Sequence, residues 1–331
     1  MRWAIPSVTR RRFGRWLMPM AALAGVALLW YAIADIGLDR IVETLSTLGP
    51  ILPVVLAITA VKYPLQAAAW RLALKPEMRP GWSVSVAATL SGDAVGYLTW
   101  AGPFMGEPIK AYLTRDHVPV AIGVTAGAVE RMLYNLTAAI IVIVAALLVL
   151  PTRDGRLWLA AGLIVSAGGV AWWRARLSRP HPARIAAGDR HARGVVASLT
   201  HDLWSERPSA FAGMLLLEAA QHALLILEAY VMLQTLGAAP SLRTVFIFEG
   251  ATKVVNTVGT IVPARLGIAE GGSALLAGAL GLGASYGMGL AIMRRVRAII
   301  WGSVGLLLVP QRERLARKTP TGSTLPSEGG K

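Results

Sequence analysis

The chain has 331 residues, 55% of them hydrophobic, a formal net charge of +15 and no cysteine. The missing thiols exclude disulfides, thiolate metal sites and a cysteine nucleophile. Several apolar runs of about 20 residues exceed what a soluble core helix needs, so the chain reads as an all-α polytopic membrane protein. Its basic excess sits in loops, where it sets topology rather than marking a nucleic-acid partner.

Residues 1–15 carry five arginines and are expected in the cytoplasm. The run 16–34 has no small-residue cleavage site and reads as a first span, not a signal peptide. After a short loop the chain returns at 51–74, whose charges are Lys62 and Arg71. Arg71, Lys75 and Arg79 mark the end of that span as cytoplasmic. The next segment, 84–102, is interrupted by Gly92, Asp93 and Gly96 and is followed by Pro103. A full crossing here would strand the basic stretch 174–207 outside after two more spans. Segments 84–102 and 105–117 are therefore predicted as half-helices of a re-entrant hairpin, 84–117, a backbone tolerated only inside protein or against a watery cavity. Spans at 120–150 and 157–173 complete a first membrane half, 16–173.

The linker 174–208 carries seven arginines and, at 183–204, a candidate interfacial amphipathic helix. The second half, 209–310, opens with a span at 209–236 containing Glu218, His222 and Glu228. Segments 245–262 and 268–282 make a second broken pair, 245–282, around Pro263 and Gly267. A last span follows at 286–309. The tail 311–331, basic and then rich in Ser, Thr, Pro and Gly, is expected to be disordered. On this path 20 of the 33 Lys and Arg are cytoplasmic and four are outside. That bias places both termini in the cytoplasm and predicts six full spans with two hairpins entering from opposite sides. Such an inverted repeat is a transporter plan. Glu107 to Arg131 and Glu270 to Arg294 are each 24 residues, and Asp93 to Pro103 and Lys253 to Pro263 are each 10. The Pro-to-Glu gaps differ, 4 against 7.

An ionised side chain at a helix centre costs about 2.5–3.5 kcal/mol on insertion scales. The charges of the two broken regions therefore need partners or a polar cavity. One reading is a set of ion pairs that fix helix register. The other is a binding site, in which Arg131, Lys253, Arg265, Arg294 and Arg295 hold a lipid phosphate through fork-shaped donors. Glu107 and Glu270 would balance them, contact a headgroup or carry a coupling proton. Supporting residues are Asp93 as a helix cap, Lys110, Glu130 and Glu249, and Pro103, Gly106, Pro263 and Gly267 at the breaks, where helix N-termini offer amides to an anion. His222 is expected to bond Glu218 one turn away, and Arg297 to partner a carboxylate. Glycine pairs at four-residue spacing, such as Gly92/Gly96 and Gly123/Gly127, suit close helix approach. No Walker-type loop, nucleophile elbow or His-Glu-x-x-His motif occurs, so no enzyme activity, cofactor or metal is predicted.

These residues also carry a family likeness. Pro103, Gly106 and Glu107, then Glu130 and Arg131, then Pro263, Gly267 and Glu270, then Arg294 resemble the marks of the flippase-like family that includes the transmembrane region of lysylphosphatidylglycerol synthase. The form VPARLGIAEGG at 262–272 further looks like the subgroup associated with hopanoid biosynthesis. The resemblance covers about 20–310 and implies translocation of a lipid or lipid-linked substrate. No soluble aminoacyl-transfer domain follows in this sequence, so lipid aminoacylation is not expected. The leading expectation is an inner-membrane lipid transporter for a phospholipid or hopanoid. The rivals are a scaffold that docks lipid-biosynthesis enzymes through 174–208, and an intramembrane transferase using Glu107 or Glu270 as a base.

Overall fold

The computed structural model describes residues 48–98, 103–149, 201–259 and 268–318, with Asp39, Ser46 and Leu199 as isolated positions. The expected spans at 16–34 and 157–173, most of the linker, and Pro263, Arg265 and Gly267 lie outside the described residues. Within them are eight α-helices and no strand. They are α1 (Leu52–Ala73), α2 (Trp82–Leu98), α3 (Pro103–Leu113), α4 (Val120–Val149), α5 (Pro208–Thr235), α6 (Leu242–Gly259), α7 (Ile268–Ala279) and α8 (Ala284–Lys318).

Local chemistry sets the boundaries. Lys75 precedes Pro76 and is extended at ψ 146°, as the ring of a following proline requires, so α1 cannot continue. Pro208 opens α5, where a missing N–H costs nothing. Gly237 closes α5 at φ +85°, and the Ala238 N–H then reaches back to the Leu233 carbonyl at 3.0 Å. Gly281 ends the turn after α7 in the same way, with φ +72° and Leu282 N–H on the Ala277 carbonyl at 2.9 Å. Arg207 ties the start of α5 to the end of α1, pairing with Asp202 at 2.6 Å and donating to the Leu74 carbonyl at 3.1 Å. α8 does not stop near Val309 but runs to Lys318. Residues 311–318 are helical where composition suggested an unstructured tail, because that stretch (QRERLARK) is made of good helix formers.

The stretch Gly49–Ala73 and the helices Val120–Val149 and Pro208–Thr235 are long and apolar enough to cross a membrane. By contrast α3, with 11 residues, rises only ~16 Å. That is about half the hydrocarbon thickness of a bilayer. α2 and α3 fold back on one another. Their backbones meet at glycines, for a Cβ on Gly92 would sit 2.7 Å from the Gly106 carbonyl oxygen, and one on Gly106 2.7 Å from that of Gly92. α6 and α7 also pack together, with Val255 filling the space beside Gly272.

The packing repeats. α2 and α3 lie on each other, and so do α6 and α7; α3 lies on α4 as α7 lies on α8. Each broken pair also leans on the long helix of the other half, α2 on α8 and α6 on α4, while α1 packs on α5. Exchanging α1–α4 for α5–α8 maps these contacts onto one another. One consequence is testable. Gly106→Val forces α2 away from α3, and overpacking of this kind costs about 1–3 kcal/mol. Thermal unfolding in detergent should show the midpoint fall by several degrees, whereas Gly271→Val, at a glycine with open space around it, should not move it.

Two apolar clusters cap this arrangement. Val55, Ala229, Met232, Phe248, Leu290 and Met293 belong to one. Trp70, Ala126, Val129, Leu133 and Met214 belong to the other.

Candidate functional site

The charges fall between the two apolar clusters. Along α1, Val55 and Trp70 belong to opposite clusters, and Lys62 and Gln66 lie between them. Along α5, Met214 and Ala229 bracket Glu218, Gln221, His222 and Glu228. On both helices these polar residues lie between members of the two clusters.

Four helices build a first group. Lys110 of α3 sets its ammonium 2.7 Å from Glu107 Oε2 and 2.6 Å from Glu130 Oε2 of α4. Lys110 and Glu130 are both only 2% exposed. Arg131 donates to the other Glu107 oxygen at 3.0 Å and lies 4.0 Å from Asp93 Oδ1 of α2. Gln66 Nε2 of α1 donates to the same Asp93 oxygen at 3.2 Å. Gly127 makes room for Glu107, since a Cβ there would fall on the carboxylate. The Trp70 ring centre lies 5.5 Å from the Lys110 ammonium, and its Nε1 donates to the Gly123 carbonyl at 3.2 Å. A buried charge costs several kcal/mol unless it is paired and hydrogen-bonded, and here Lys110 and Arg131 between them answer three acids, Asp93, Glu107 and Glu130.

A second group comes from α5, α6 and α8. Arg294 donates through Nε to Glu228 Oε1 at 3.3 Å and pairs closely with Glu249. Arg297 pairs closely with the second Glu228 oxygen. Lys253, one turn from Glu249, donates to His222 Nδ1 at 2.9 Å. An ammonium can only donate, so Nδ1 accepts and the proton of a neutral imidazole is on Nε2. That nitrogen faces Thr137 Oγ1 at 3.1 Å and the Tyr134 carbonyl at 3.3 Å. His222 thus fastens α5 to both α4 and α6.

Tyr134 and Lys62 join the groups. The Tyr134 ring lies 4.4 Å from the His222 ring and 5.8 Å from the Arg131 guanidinium. Lys62 is within electrostatic reach of Asp93 and Arg131 on one side and of Arg297 and Glu228 on the other. Its side chain is half-buried, and among the described residues no acceptor lies within bonding distance of its ammonium.

Several expected residues meet, and others do not. Glu107 and Arg131 are together. Arg294 does not meet Glu270, although the two pairs share a spacing of 24. Glu270 pairs with Arg295 instead. The physical reason is that Arg294 is taken by Glu228 and Glu249, while its neighbour Arg295, about 100° round α8, meets Glu270. Asp93 caps nothing, for it sits inside α2. His222 does not bond Glu218; Glu218 Oε2 accepts from Gln221 Nε2 at 2.8 Å. Sequence reasoning passed over Lys62, Gln66, Tyr134 and Glu228 as members of the site. One signal was present: Lys62 to Asp93 and His222 to Lys253 are both 31 residues.

A charged layer shared by two similarly packed halves is the setting in which the family comparison reads. The family model described as the lysylphosphatidylglycerol synthase TM region matches residues 19–304. The chain belongs to this family. Every charged residue of the layer, from Lys62 to Arg297, falls inside the match to the synthase transmembrane-region model. No curated protein and no solved structure matches the chain. It is a membrane protein of a lipid-related family.

Proposed function

We propose that the protein seats the polar headgroup of a membrane lipid, a phospholipid or hopanoid, in the charged layer and carries it between leaflets without altering it covalently. The observation that carries this reading is Lys62, a half-buried cation that lies over the Tyr63 ring and has no hydrogen-bond acceptor or carboxylate partner among the described residues, standing between two charged groups from opposite halves. Buried ion pairs that served register alone would leave no such cation over. In this reading α2–α3 and α6–α7 are re-entrant pairs of an inverted repeat, and movement of one half against the other exposes the layer to each side in turn. The arginine-rich loops support an inner-membrane orientation with both termini in the cytoplasm.

The test is a leaflet assay with fluorescent lipids in vesicles containing the full chain. Faster exchange than in empty vesicles is expected for at least one phospholipid or hopanoid. No acceleration for any of them overturns the reading. Arg131→Gln removes a charged donor worth about 1.5–3 kcal/mol. It should slow exchange by roughly ten- to a hundredfold. A scaffold for lipid-biosynthesis enzymes would instead depend on the 174–208 linker, so a chain lacking the linker that still exchanges lipid speaks for transport.

A further inference from the structure

Glu218 is the acid of the layer that the arrangement leaves unused. It is fully buried, at 0% exposure. One oxygen accepts from Gln221, and the other, Oε1, has no hydrogen-bond partner among the described residues. Among the described residues no cation lies within ion-pair distance of it. Lys62 of α1, Lys110 of α3, and Glu130, Arg131 and Tyr134 of α4 face it from farther off. α6 and α8 bring Glu249, Lys253, Arg294 and Arg297 to α5 at His222 and Glu228, farther along the helix. The Asp202–Arg207 pair closes on itself at the start of α5. Glu107 and Glu270, the acids that sequence alone offered as proton carriers, are both held by cations.

With every acid ionised, formal charge among the described residues of the layer cancels. Lys62, Lys110, Arg131, Lys253, Arg294 and Arg297 stand against Asp93, Glu107, Glu130, Glu218, Glu228 and Glu249. A headgroup with one negative charge, settling on the Lys62 ammonium, would leave these residues at −1. Net charge at that depth is costly. One proton removes the excess, and the acid with no cation beside it is the one that takes the proton at least cost. We infer that Glu218 is a proton-binding site, loaded together with a monoanionic headgroup at Lys62, so that translocation runs as electroneutral proton–lipid co-transport. This rests on the transport reading above. The proton comes from the water on the side the layer faces and returns to water with the headgroup on the other side. Only the carboxyl O–H bond forms and breaks.

The experiment uses the full chain in phosphatidylcholine vesicles with a trace of fluorescent phosphatidylglycerol, whose phosphodiester carries one charge. One proton per headgroup fixes the steady-state leaflet ratio at about tenfold per pH unit of gradient. An imposed electrical potential should not move that ratio. Glu218→Gln should bring it to unity, and Glu218→Asp, which keeps a carboxyl, should retain it. A wild-type ratio of unity while lipid still exchanges overturns the inference and leaves the transport reading standing. Absence of exchange overturns that reading instead. Infrared difference spectra then decide the proton site alone. Adding phosphatidylglycerol should raise a protonated-carboxyl band in the wild type that is missing in Glu218→Gln and does not rise in Lys62→Gln. A wild type without the band sinks the proposal.

Discussion

Lys110→Met should cost about 3–5 kcal/mol, because it removes a cation that serves two buried acids, Glu107 and Glu130. Glu107 keeps Arg131 at 3.0 Å, but Glu130 loses its only partner among the described residues while remaining 2% exposed. A loss of that size is a large share of the ~5–15 kcal/mol that holds a typical domain folded. The measured outcome would be poor recovery from the membrane and a much lower unfolding midpoint in detergent. Adding Glu130→Gln removes the stranded charge, so the double variant should recover most of the loss. The double-mutant cycle reads this coupling directly. If Lys110→Met unfolds like the wild type, the ion-pair account of the first group is wrong.

Glu228→Gln should be nearly as damaging, at about 3–5 kcal/mol, for the same reason with signs reversed. Glu228 answers two arginines, one through each oxygen. Arg294 retains Glu249 after the change, whereas Arg297 keeps no carboxylate among the described residues. The rescue is therefore specific. Arg297→Met should restore the unfolding midpoint of Glu228→Gln, and Arg294→Met should not, since it would strand Glu249 in turn. Equal rescue by both would mean that the two arginines share Glu228 and Glu249 without preference.

The helices themselves were largely legible in the sequence. Apolar length and the Pro and Gly interruptions located α1, α2, α4, α5 and α6 within a few residues. That Glu107 would balance a cation was legible too, and Arg131 on the next helix, α4, is one of the two that it meets. What sequence could not supply was rotation about a helix axis. The equal 24-residue spacing was visible, yet only the packed bundle reveals that Glu270 goes to Arg295 and Arg294 to Glu228 and Glu249. Lys62 was seen as a charge of its span but not placed in the site, for a related reason. A lone lysine in an apolar helix looks like a snorkelling surface residue until its neighbours on α2, α5 and α8 are known.

The crossed packing of the halves also bears on how the chain is made. Gly305 lies against the backbone of α2, where a Cβ would come 2.5 Å from the Leu90 oxygen, and Ser91 Oγ donates to the Gly305 carbonyl at 2.9 Å. α2 is therefore synthesised more than two hundred residues before the helix that covers it. During translation the ribosome must deliver α3 to α7 while that small-residue face has only lipid, or an insertase, to cover it. Neither half can mature ahead of the other.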